Sequence, residues 1–121
     1  MTFIEFGFQE VLLTNINNRG YETATPIQRQ AIPTILRGKD ILAGAQTGTG
    51  KTAAFALPIL QQLVDLRETS DREKLRVLVL TPTRELAAQV RTSFCDYATN
   101  LPFRSAAIYG GVNINPQKKD L

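Results

Sequence analysis

One octapeptide decides the fold of this 121-residue chain: Ala45-Gln46-Thr47-Gly48-Thr49-Gly50-Lys51-Thr52. A short apolar run at 40–44 precedes it, and apolar residues with helical spacing follow it over 50–66. This is the order of strand, loop and helix in which a Walker A phosphate loop occurs. Glycines let the backbone N–H groups face a polyphosphate, and the positive end of the following helix points at the same charge. The segment therefore predicts binding of a nucleoside triphosphate.

Two side chains of this loop are our candidate catalytic residues, Lys51 and Thr52. The Lys51 ammonium would contact the β- and γ-phosphates, and the Thr52 hydroxyl would ligate Mg²⁺. The remaining loop residues would surround the triphosphate: Gln46, Thr47, Gly48, Thr49 and Gly50. The general pattern has glycine where this chain has Ala45, which the loop tolerates if φ there is negative. The alternative is a Gly/Thr-rich turn with an exposed lysine.

The rest of the chain alternates predicted strands and helices. Apolar and β-branched runs predict strands at 40–44, 75–80 and 105–109. Caps and helical spacing predict helices at 9–18, from Thr25 to Gly38, at 50–66, at 83–100 and from Asn115 onward. Pro33 and Pro58 fall inside two of these helices, where we expect a kink or a break. This order predicts an α/β domain with a parallel sheet flanked by helices.

Composition excludes several other classes of protein. A single cysteine, Cys95, and no histidine leave no internal disulfide, no Cys/His metal site and no histidine-based catalytic triad. With 14 basic and 11 acidic residues the net charge is only +3, which decides little about partners. No secretory signal pattern occurs, and the longest apolar uncharged stretch, 52–64, is too short to span a membrane. We therefore expect a cytoplasmic protein.

Several segments together make the chain resemble the DEAD-box ATP-dependent RNA helicases, from Phe3 to its last residue. Gly20-Tyr21-Glu22-Thr23-Ala24-Thr25-Pro26-Ile27-Gln28 is similar to the Q motif of that family, with Phe3 as the upstream aromatic. Pro82-Thr83-Arg84-Glu85-Leu86-Ala87 resembles motif Ia, and Gly110-Gly111 resembles the paired-glycine motif. Ala45 is the residue that the family itself prefers at the start of the loop.

Two further details bear on this resemblance. The family usually has proline where this chain has Ala24, and we expect the alanine to loosen the start of the following helix. Ile114-Asn115-Pro116-Gln117 looks most like the bacterial RhlE-type branch of the family.

The resemblance implies a RecA-like P-loop fold that is incomplete in this chain. Residues 1–121 would be the N-terminal portion of the first RecA-like domain, with the Q-motif region at 1–38 and the P-loop, motif Ia and paired-glycine segments at 39–121. The family's Asp-Glu-Ala-Asp motif and its second RecA-like domain do not occur in these 121 residues. We therefore expect the chain alone to be inactive as an ATPase. Because neighbouring strands of the sheet are missing, we also expect it to self-associate.

The resemblance also implies which residues would bind ATP. A carboxamide both donates and accepts, which fits N6 and N7 of adenine, so Gln28 is our candidate for reading the base. Phe3 would stack on the purine, and Tyr21 and Thr25 belong to the same motif. The alternatives are structural: Gln28 would complete a capping box with Thr25, a role compatible with base reading, and Phe3 would be a core aromatic.

Contacts with the RNA backbone are expected at Pro82, Thr83, Arg84, Gly110 and Gly111. At a strand-to-helix turn, a hydroxyl, a guanidinium and free helix N–H groups can contact phosphates, and two glycines let the RNA backbone approach closely. The alternatives are a helix cap by the threonine, a solvated or locally paired arginine and a plain strand end. Backbone contacts imply weak sequence preference and strong dependence on salt.

The function that the resemblance implies is an RNA-dependent ATPase, which uses ATP and Mg²⁺ to unwind RNA duplexes locally. RNA would be the main partner, ribosomal or RNA-decay proteins would be further ones, and no membrane would be involved. Two other functions stay open. One is an ATP-gated RNA clamp that assembles or remodels RNA–protein complexes without separating strands. The other is a DNA-directed helicase or an unrelated P-loop motor, against which the segments around Gln28 and Arg84 argue.

Overall fold

Five α-helices follow one another in a computed structural model that describes residues 1–46, 50–67, 75–111 and 114–120. They are α1 Glu10–Asn18, α2 Pro26–Leu36, α3 Lys51–Arg67, α4 Arg84–Tyr97 and α5 Ile114–Asp120, and a 3-10 turn, Phe3–Phe6, precedes them. The predicted helices are thus confirmed, with bounds close to those expected. Within the described ranges no helix has the length and apolar character to cross a membrane.

The start of α2 is set by local side-chain chemistry. Thr25 is the N-cap in extended backbone, Pro26 is the first helical residue, and the Thr25 backbone N–H donates to Gln28 Oε1 at 2.9 Å. This half of the predicted capping box satisfies an N–H group at a helix start, where backbone donors lack partners. The helix ends before Gly38, whose φ of +77° is a left-handed conformation that favours glycine.

Proline interrupts neither α2 nor α3. Pro33 and Pro58 lie inside the two helices, so the expected breaks do not occur. Each proline removes one backbone hydrogen bond, and the packing of α2 against α3 compensates for that loss. Ile32, Leu57 and Leu60 are almost completely buried in this contact.

The hydrophobic core is centred on α3. The buried side chains come from four helices and the N-terminal segment, and they include Phe3, Phe8, Leu12, Ile16, Ile32, Ala53, Ala56, Leu57, Leu60 and Tyr97. Burial of each large aliphatic side chain contributes roughly 1.5–3 kcal/mol. The core therefore fixes α3 firmly, and with it the first two residues of that helix, Lys51 and Thr52.

The predicted parallel sheet does not form among the described residues. The segments expected to be strands are not strands in the structure: 40–44, 75–80 and 105–109. Several apolar side chains of these segments lie exposed, including Leu42, Leu75 and Leu80. A strand exists only where its backbone groups pair with those of a neighbour. The prediction of three strands is therefore wrong for the described part of the chain, because an apolar run does not supply its own pairing partner.

The N-terminal turn is attached to the segment that leads into α2. Thr2 and Thr23 form an antiparallel bridge, and the backbone N–H of Ala24 donates to the Met1 carbonyl at 3.1 Å. A proline at position 24 has no N–H and could not form this bond. The Ala24 backbone therefore ties the start of α2 to the N-terminus, while the expectation that Ala24 loosens that start stays a prediction.

α4 ends at Tyr97, before the expected residue 100, and a buried side chain of α1 binds the carbonyls there. Asn15 is 4% exposed, and its Nδ2 donates to the Tyr97 carbonyl at 2.8 Å and to the Thr99 carbonyl at 2.7 Å. The last carbonyls of a helix have no partner within the helix. The Asn15 amide supplies that partner and joins α1 to α4.

The Tyr97 hydroxyl lies in the same buried joint, 3.3 Å from the Tyr21 hydroxyl. Burial, and secondly the hydrogen bond with Tyr21, raises the pKa of Tyr97 well above its ordinary value. A tyrosine hydroxyl is protonated at physiological pH even without this shift, so the raised pKa reflects only the buried setting of the contact between the two hydroxyls.

Replacement of Asn15 by Asp should destabilise the fold strongly. The carboxylate would face the two carbonyl oxygens that the amide now serves, so we expect the free energy of unfolding to fall by about 3 kcal/mol at neutral pH. Asn17→Asp adds the same charge at an exposed position of the same helix and serves as the control. Urea denaturation followed by circular dichroism measures both variants. An equal loss in the two would contradict the role assigned to Asn15.

Candidate functional site

Gln28 connects the start of α2 to the phosphate loop. Its side chain is almost completely buried, and its Nε2 donates to the Gly50 carbonyl at 3.2 Å while its Oε1 accepts the Thr25 N–H. A Cβ on Gly50 would overlap the Gln28 amide nitrogen, and φ at Gly50 is +83°. Both the available space and the backbone conformation therefore favour glycine at this position. The candidate base-reading residue is fixed against the last glycine of the loop.

The Thr25 hydroxyl adds an unsatisfied group at the same place. It is buried and makes no hydrogen bond with any residue that the structure describes, although it faces the first turn of α2 in the arrangement of a capping box. A Cβ on Gly50 would lie 3.3 Å from this oxygen, so the hydroxyl borders the loop. Buried polar groups nearly always have partners in folded proteins. An unpaired hydroxyl beside a phosphate loop therefore fits a site that takes a polar ligand.

α3 begins directly after the loop. Lys51 is exposed and Thr52 is half-buried, so an ammonium and a hydroxyl stand at the N-terminal end of a 17-residue helix. The unpaired N–H groups and the dipole at such an end favour negative charge. Gln46, also predicted to contact the triphosphate, is exposed. Three further predicted contacts lie outside the described residues: Thr47, Gly48 and Thr49.

The two aromatic residues predicted for the nucleotide pack against each other. Phe3 is 3% exposed, and its ring centroid lies 6.3 Å from that of Tyr21, with the ring planes 28° apart. The structure thus places Phe3 in the hydrophobic core, which is the structural alternative for this residue. Stacking of Phe3 on a purine stays a prediction.

A second group of predicted residues surrounds a groove of about 390 Å³. Two segments line it: Thr81, Pro82, Thr83, Arg84 and Ala87 around the start of α4, and Ile108, Tyr109 and Gly110 from the later segment. Four of the five residues predicted to bind RNA are thus in one groove, although they belong to separate motifs. The fifth, Gly111, follows Gly110 directly.

Thr83 and Arg84 have different contacts at this groove. The Thr83 Oγ1 accepts the Leu86 N–H at 3.1 Å and so caps α4, while the hydroxyl proton can still be donated. The Arg84 side chain is 55% exposed, and its Nε lies 3.6 Å from Glu85 Oε1. An exposed ion pair of this kind stabilises little. The guanidinium can therefore exchange the carboxylate for a phosphate, with which it forms strong charge-assisted hydrogen bonds.

Gly111 brings the paired glycines against Arg84. Its φ is +81°, and a Cβ at this position would lie 3.0 Å from the Arg84 Nη1 atom. Any other residue would take a strained backbone conformation and crowd the guanidinium. The glycine at 111 therefore leaves room for the Arg84 side chain.

Two contacts hold the later segment along the side of α4. Arg91 Nε donates to the Ser105 carbonyl at 3.0 Å, and Cys95 Sγ lies 3.3 Å from Ser105 Oγ. Cys95 is exposed, and it is the one cysteine of the sequence. α4 thus carries one wall of the groove and holds the segment that forms the other.

Gln117 is a residue of this region to which the sequence assigned no role. Its carboxamide is hydrogen-bonded to both backbone groups of Tyr109, directly before the paired glycines. The available signal was weak, because a glutamine in the first turn of a helix is common and nothing local indicates a partner eight residues earlier.

Comparison with known proteins agrees with this arrangement. A family model described as DEAD/DEAH box helicase matches residues 25–121. The chain is 42% identical, over its whole length, to the ATP-dependent RNA helicase CshA of Limosilactobacillus reuteri. It is 45% identical, again over its whole length, to the ATP-dependent RNA helicase DeaD of Buchnera aphidicola subsp. Baizongia pistaciae. It covers 23% and 19% of these proteins, so it spans about a fifth of their length.

Solved structures have the same backbone arrangement. A DEAD box protein from Methanococcus jannaschii matches with a TM-score of 0.85 at 37% identity, over 100% of this chain and 32% of that one. The RNA helicase Prp28 from Chaetomium thermophilum, bound to ADP, matches with a TM-score of 0.83 at 38% identity, over 97% and 28%. These matches confirm the predicted RecA-like fold class, even though the described residues form no sheet.

Replacement of Gly50 by Ala should displace the Gln28 carboxamide from the loop. Gly38→Ala is a matched control, because φ is also positive there, +77°, and no atom lies within 4 Å of the added Cβ. We expect each variant to lose about 1 kcal/mol of stability from backbone strain. The side-chain amide signals of Gln28 in a ¹⁵N-¹H NMR spectrum should shift in Gly50→Ala only. Unchanged Gln28 signals in that variant would contradict the contact.

Proposed function

Because the chain belongs to the DEAD/DEAH box helicase family, we propose that it supplies ATP contacts and RNA contacts to an ATP-dependent RNA helicase. In this function, ATP binding and hydrolysis are coupled to local unwinding of RNA duplexes through contacts with the RNA backbone. One observation carries the proposal: a groove that unites Arg84 with Gly110 occurs in the same short chain as Gln28 fixed on the phosphate loop.

Gln28 suits the recognition of adenine even though its carboxamide already has two partners. An amide oxygen has two lone pairs and an amide nitrogen has two hydrogens. Oε1 uses one lone pair for the Thr25 N–H, and Nε2 uses one hydrogen for the Gly50 carbonyl. One acceptor site and one donor site remain, which is the pair that adenine N6 and N7 require. The capping role and base reading therefore coexist in our proposal, with Phe3 and Tyr21 near the purine.

The triphosphate would lie at the N-terminal end of α3. Lys51 would neutralise the β- and γ-phosphates, and the Thr52 hydroxyl would hold Mg²⁺ together with phosphate oxygens. A bound Mg²⁺ ion would supply charge neutralisation for phosphoryl transfer.

The RNA backbone would lie in the groove beside α4. The exposed Arg84 guanidinium, the Thr83 hydroxyl and the glycine backbone would offer donors to phosphate oxygens, and such contacts carry no sequence information. We therefore propose binding that is independent of RNA sequence and falls as salt concentration rises. A finer placement in the bacterial RhlE-type branch is supported by the stretch Ile114-Asn115-Pro116-Gln117 alone.

Nucleotide binding should depend on Lys51 and on the base. We expect the chain to bind Mg·ATP about tenfold more tightly than Mg·GTP, because a bidentate contact to a base discriminates by roughly 1–3 kcal/mol. Lys51→Ala should abolish most of the affinity for ATP, whereas Lys39→Ala, which removes an exposed lysine outside the loop, should change it little. Isothermal titration calorimetry measures all three. Equal affinities for ATP and GTP would overturn the assignment of Gln28.

RNA binding should depend on Arg84 in a way that salt reveals. Arg84→Ala removes one phosphate contact, so binding of a fluorescein-labelled oligo(U) should weaken, and the slope of log affinity against log salt should fall by about 1. Arg37→Ala removes an exposed arginine outside the groove and is the control. Fluorescence anisotropy at several salt concentrations gives both quantities. Identical slopes for Arg84→Ala and Arg37→Ala would rule out Arg84 as a phosphate ligand.

A further inference from the structure

We propose that Gln117 is a positioning residue for the RNA-binding groove, which it serves by fixing the backbone directly before the paired glycines. This inference rests on the proposed function, because it assumes that the groove takes an RNA backbone. Gln117 does not line the groove; it acts through Tyr109 and Gly110, which do.

The contact between Gln117 and Tyr109 has two hydrogen bonds. The Tyr109 backbone N–H donates to Gln117 Oε1 at 2.7 Å, and Gln117 Nε2 donates to the Tyr109 carbonyl at 3.1 Å. A carboxamide presents the same donor and acceptor as a peptide group. The arrangement therefore reproduces one hydrogen-bonded pair of a β ladder, with a side chain in place of the neighbouring strand.

This pairing occurs where the backbone has no strand neighbour among the residues that the structure describes. The segment 105–109 was predicted to be a strand, yet it is not one in the structure. Tyr109 is half-buried, and so is Gln117, so water competes only partly for their hydrogen bonds. Gln117 thus provides at Tyr109 the restraint that a sheet would otherwise provide.

The restraint matters because two glycines follow. Glycine loses more conformational freedom on ordering than any other residue, so a free Gly110-Gly111 pair would have to be ordered when RNA binds. Gly111 must also keep its positive φ and its place against the Arg84 guanidinium. Fixing Tyr109 anchors one end of this pair, and the groove is therefore preorganised before a ligand arrives.

The role differs from that of a helix cap. α5 begins at Ile114, so Gln117 lies in its first turn, but its side chain reaches back beyond the helix to Tyr109. Loss of the contact should therefore increase the conformational freedom of the paired glycines and make the groove less preorganised. It should leave Gln28 and the N-terminal end of α3 unchanged, because the bonds of Gln28 among the described residues go to Thr25 and Gly50 instead.

Two substitutions test the proposal in the full 121-residue chain. Gln117→Met keeps the length of the side chain without charge and removes both hydrogen bonds. Gln117→Glu keeps an acceptor for the Tyr109 N–H and places a carboxylate against the Tyr109 carbonyl. Gln30→Met and Gln30→Glu make the same changes at an exposed glutamine of α2 and serve as matched controls. Circular dichroism establishes that each variant is folded.

The readouts are binding of fluorescein-labelled oligo(U), binding of Mg·ATP and hydrogen exchange at the Tyr109 amide. We expect Gln117→Met to weaken oligo(U) binding about fivefold, because the segment from Tyr109 to Gly111 would then have to be ordered when RNA binds. ATP affinity should stay within twofold of the parent. Tyr109 exchange should accelerate in Gln117→Met and much less in Gln117→Glu, which retains the acceptor. Both Gln30 variants should match the parent in ATP affinity and in Tyr109 exchange. Gln30→Met should also match it in RNA affinity, and Gln30→Glu should lose at most the small electrostatic part of RNA affinity that one added negative charge removes.

Three results would overturn the proposal. If the parent binds oligo(U) and Gln117→Met binds it equally well, the positioning role fails while the proposed function stands. If Gln117→Met loses ATP affinity in the same proportion as RNA affinity, the residue has a general structural role instead. If the parent chain binds no oligo(U) at all, the RNA function of the groove fails, and the positioning role fails with it.

Discussion

The contact between Gln28 and Gly50 is the constraint on which the arrangement of α2 and the start of α3 depends. One carboxamide joins the N-cap of α2 to the residue directly before α3, and the packing of those two helices holds it in place. Gly50 has no Cβ, which leaves the space that this amide occupies. The candidate base-reading residue and the start of α3 are therefore parts of one rigid unit, so a nucleotide that contacted both would not require the core to rearrange.

The groove beside α4 is built differently. α4 is capped by Thr83 and carries Arg84 in its first turn, whereas the opposite wall of the groove is a segment without regular structure. Side chains form hydrogen bonds with the backbone of that segment in place of a neighbouring strand. Arg91 binds the Ser105 carbonyl, and Gln117 binds both backbone groups of Tyr109. A rigid helix thus faces a segment that is held at separate points along its length.

Features governed by residues close in sequence could be predicted, and those governed by distant contacts could not. The start of α2 followed from Thr25 and Gln28, because a capping box involves only four consecutive residues. The end of α4 was predicted too late, because the Asn15 amide that binds its carbonyls is more than eighty positions away. The strand predictions were wrong for the same reason, since strand pairing requires a neighbouring strand that an apolar run does not reveal. Among the site residues, the motifs identified Arg84 and the paired glycines, while Gln117 emerged only from its distances to Tyr109.

The exposed thiol of Cys95 gives the molecule a built-in attachment point for a spectroscopic reporter. Because the chain has no other cysteine, a maleimide dye would attach at one position without mutagenesis. That position lies on α4 beside Ser105, at the seam between the two walls of the groove. Attachment of the dye would replace the contact of the thiol with Ser105, while the bond from Arg91 to the Ser105 carbonyl would remain, and the emission would report on the environment at this seam.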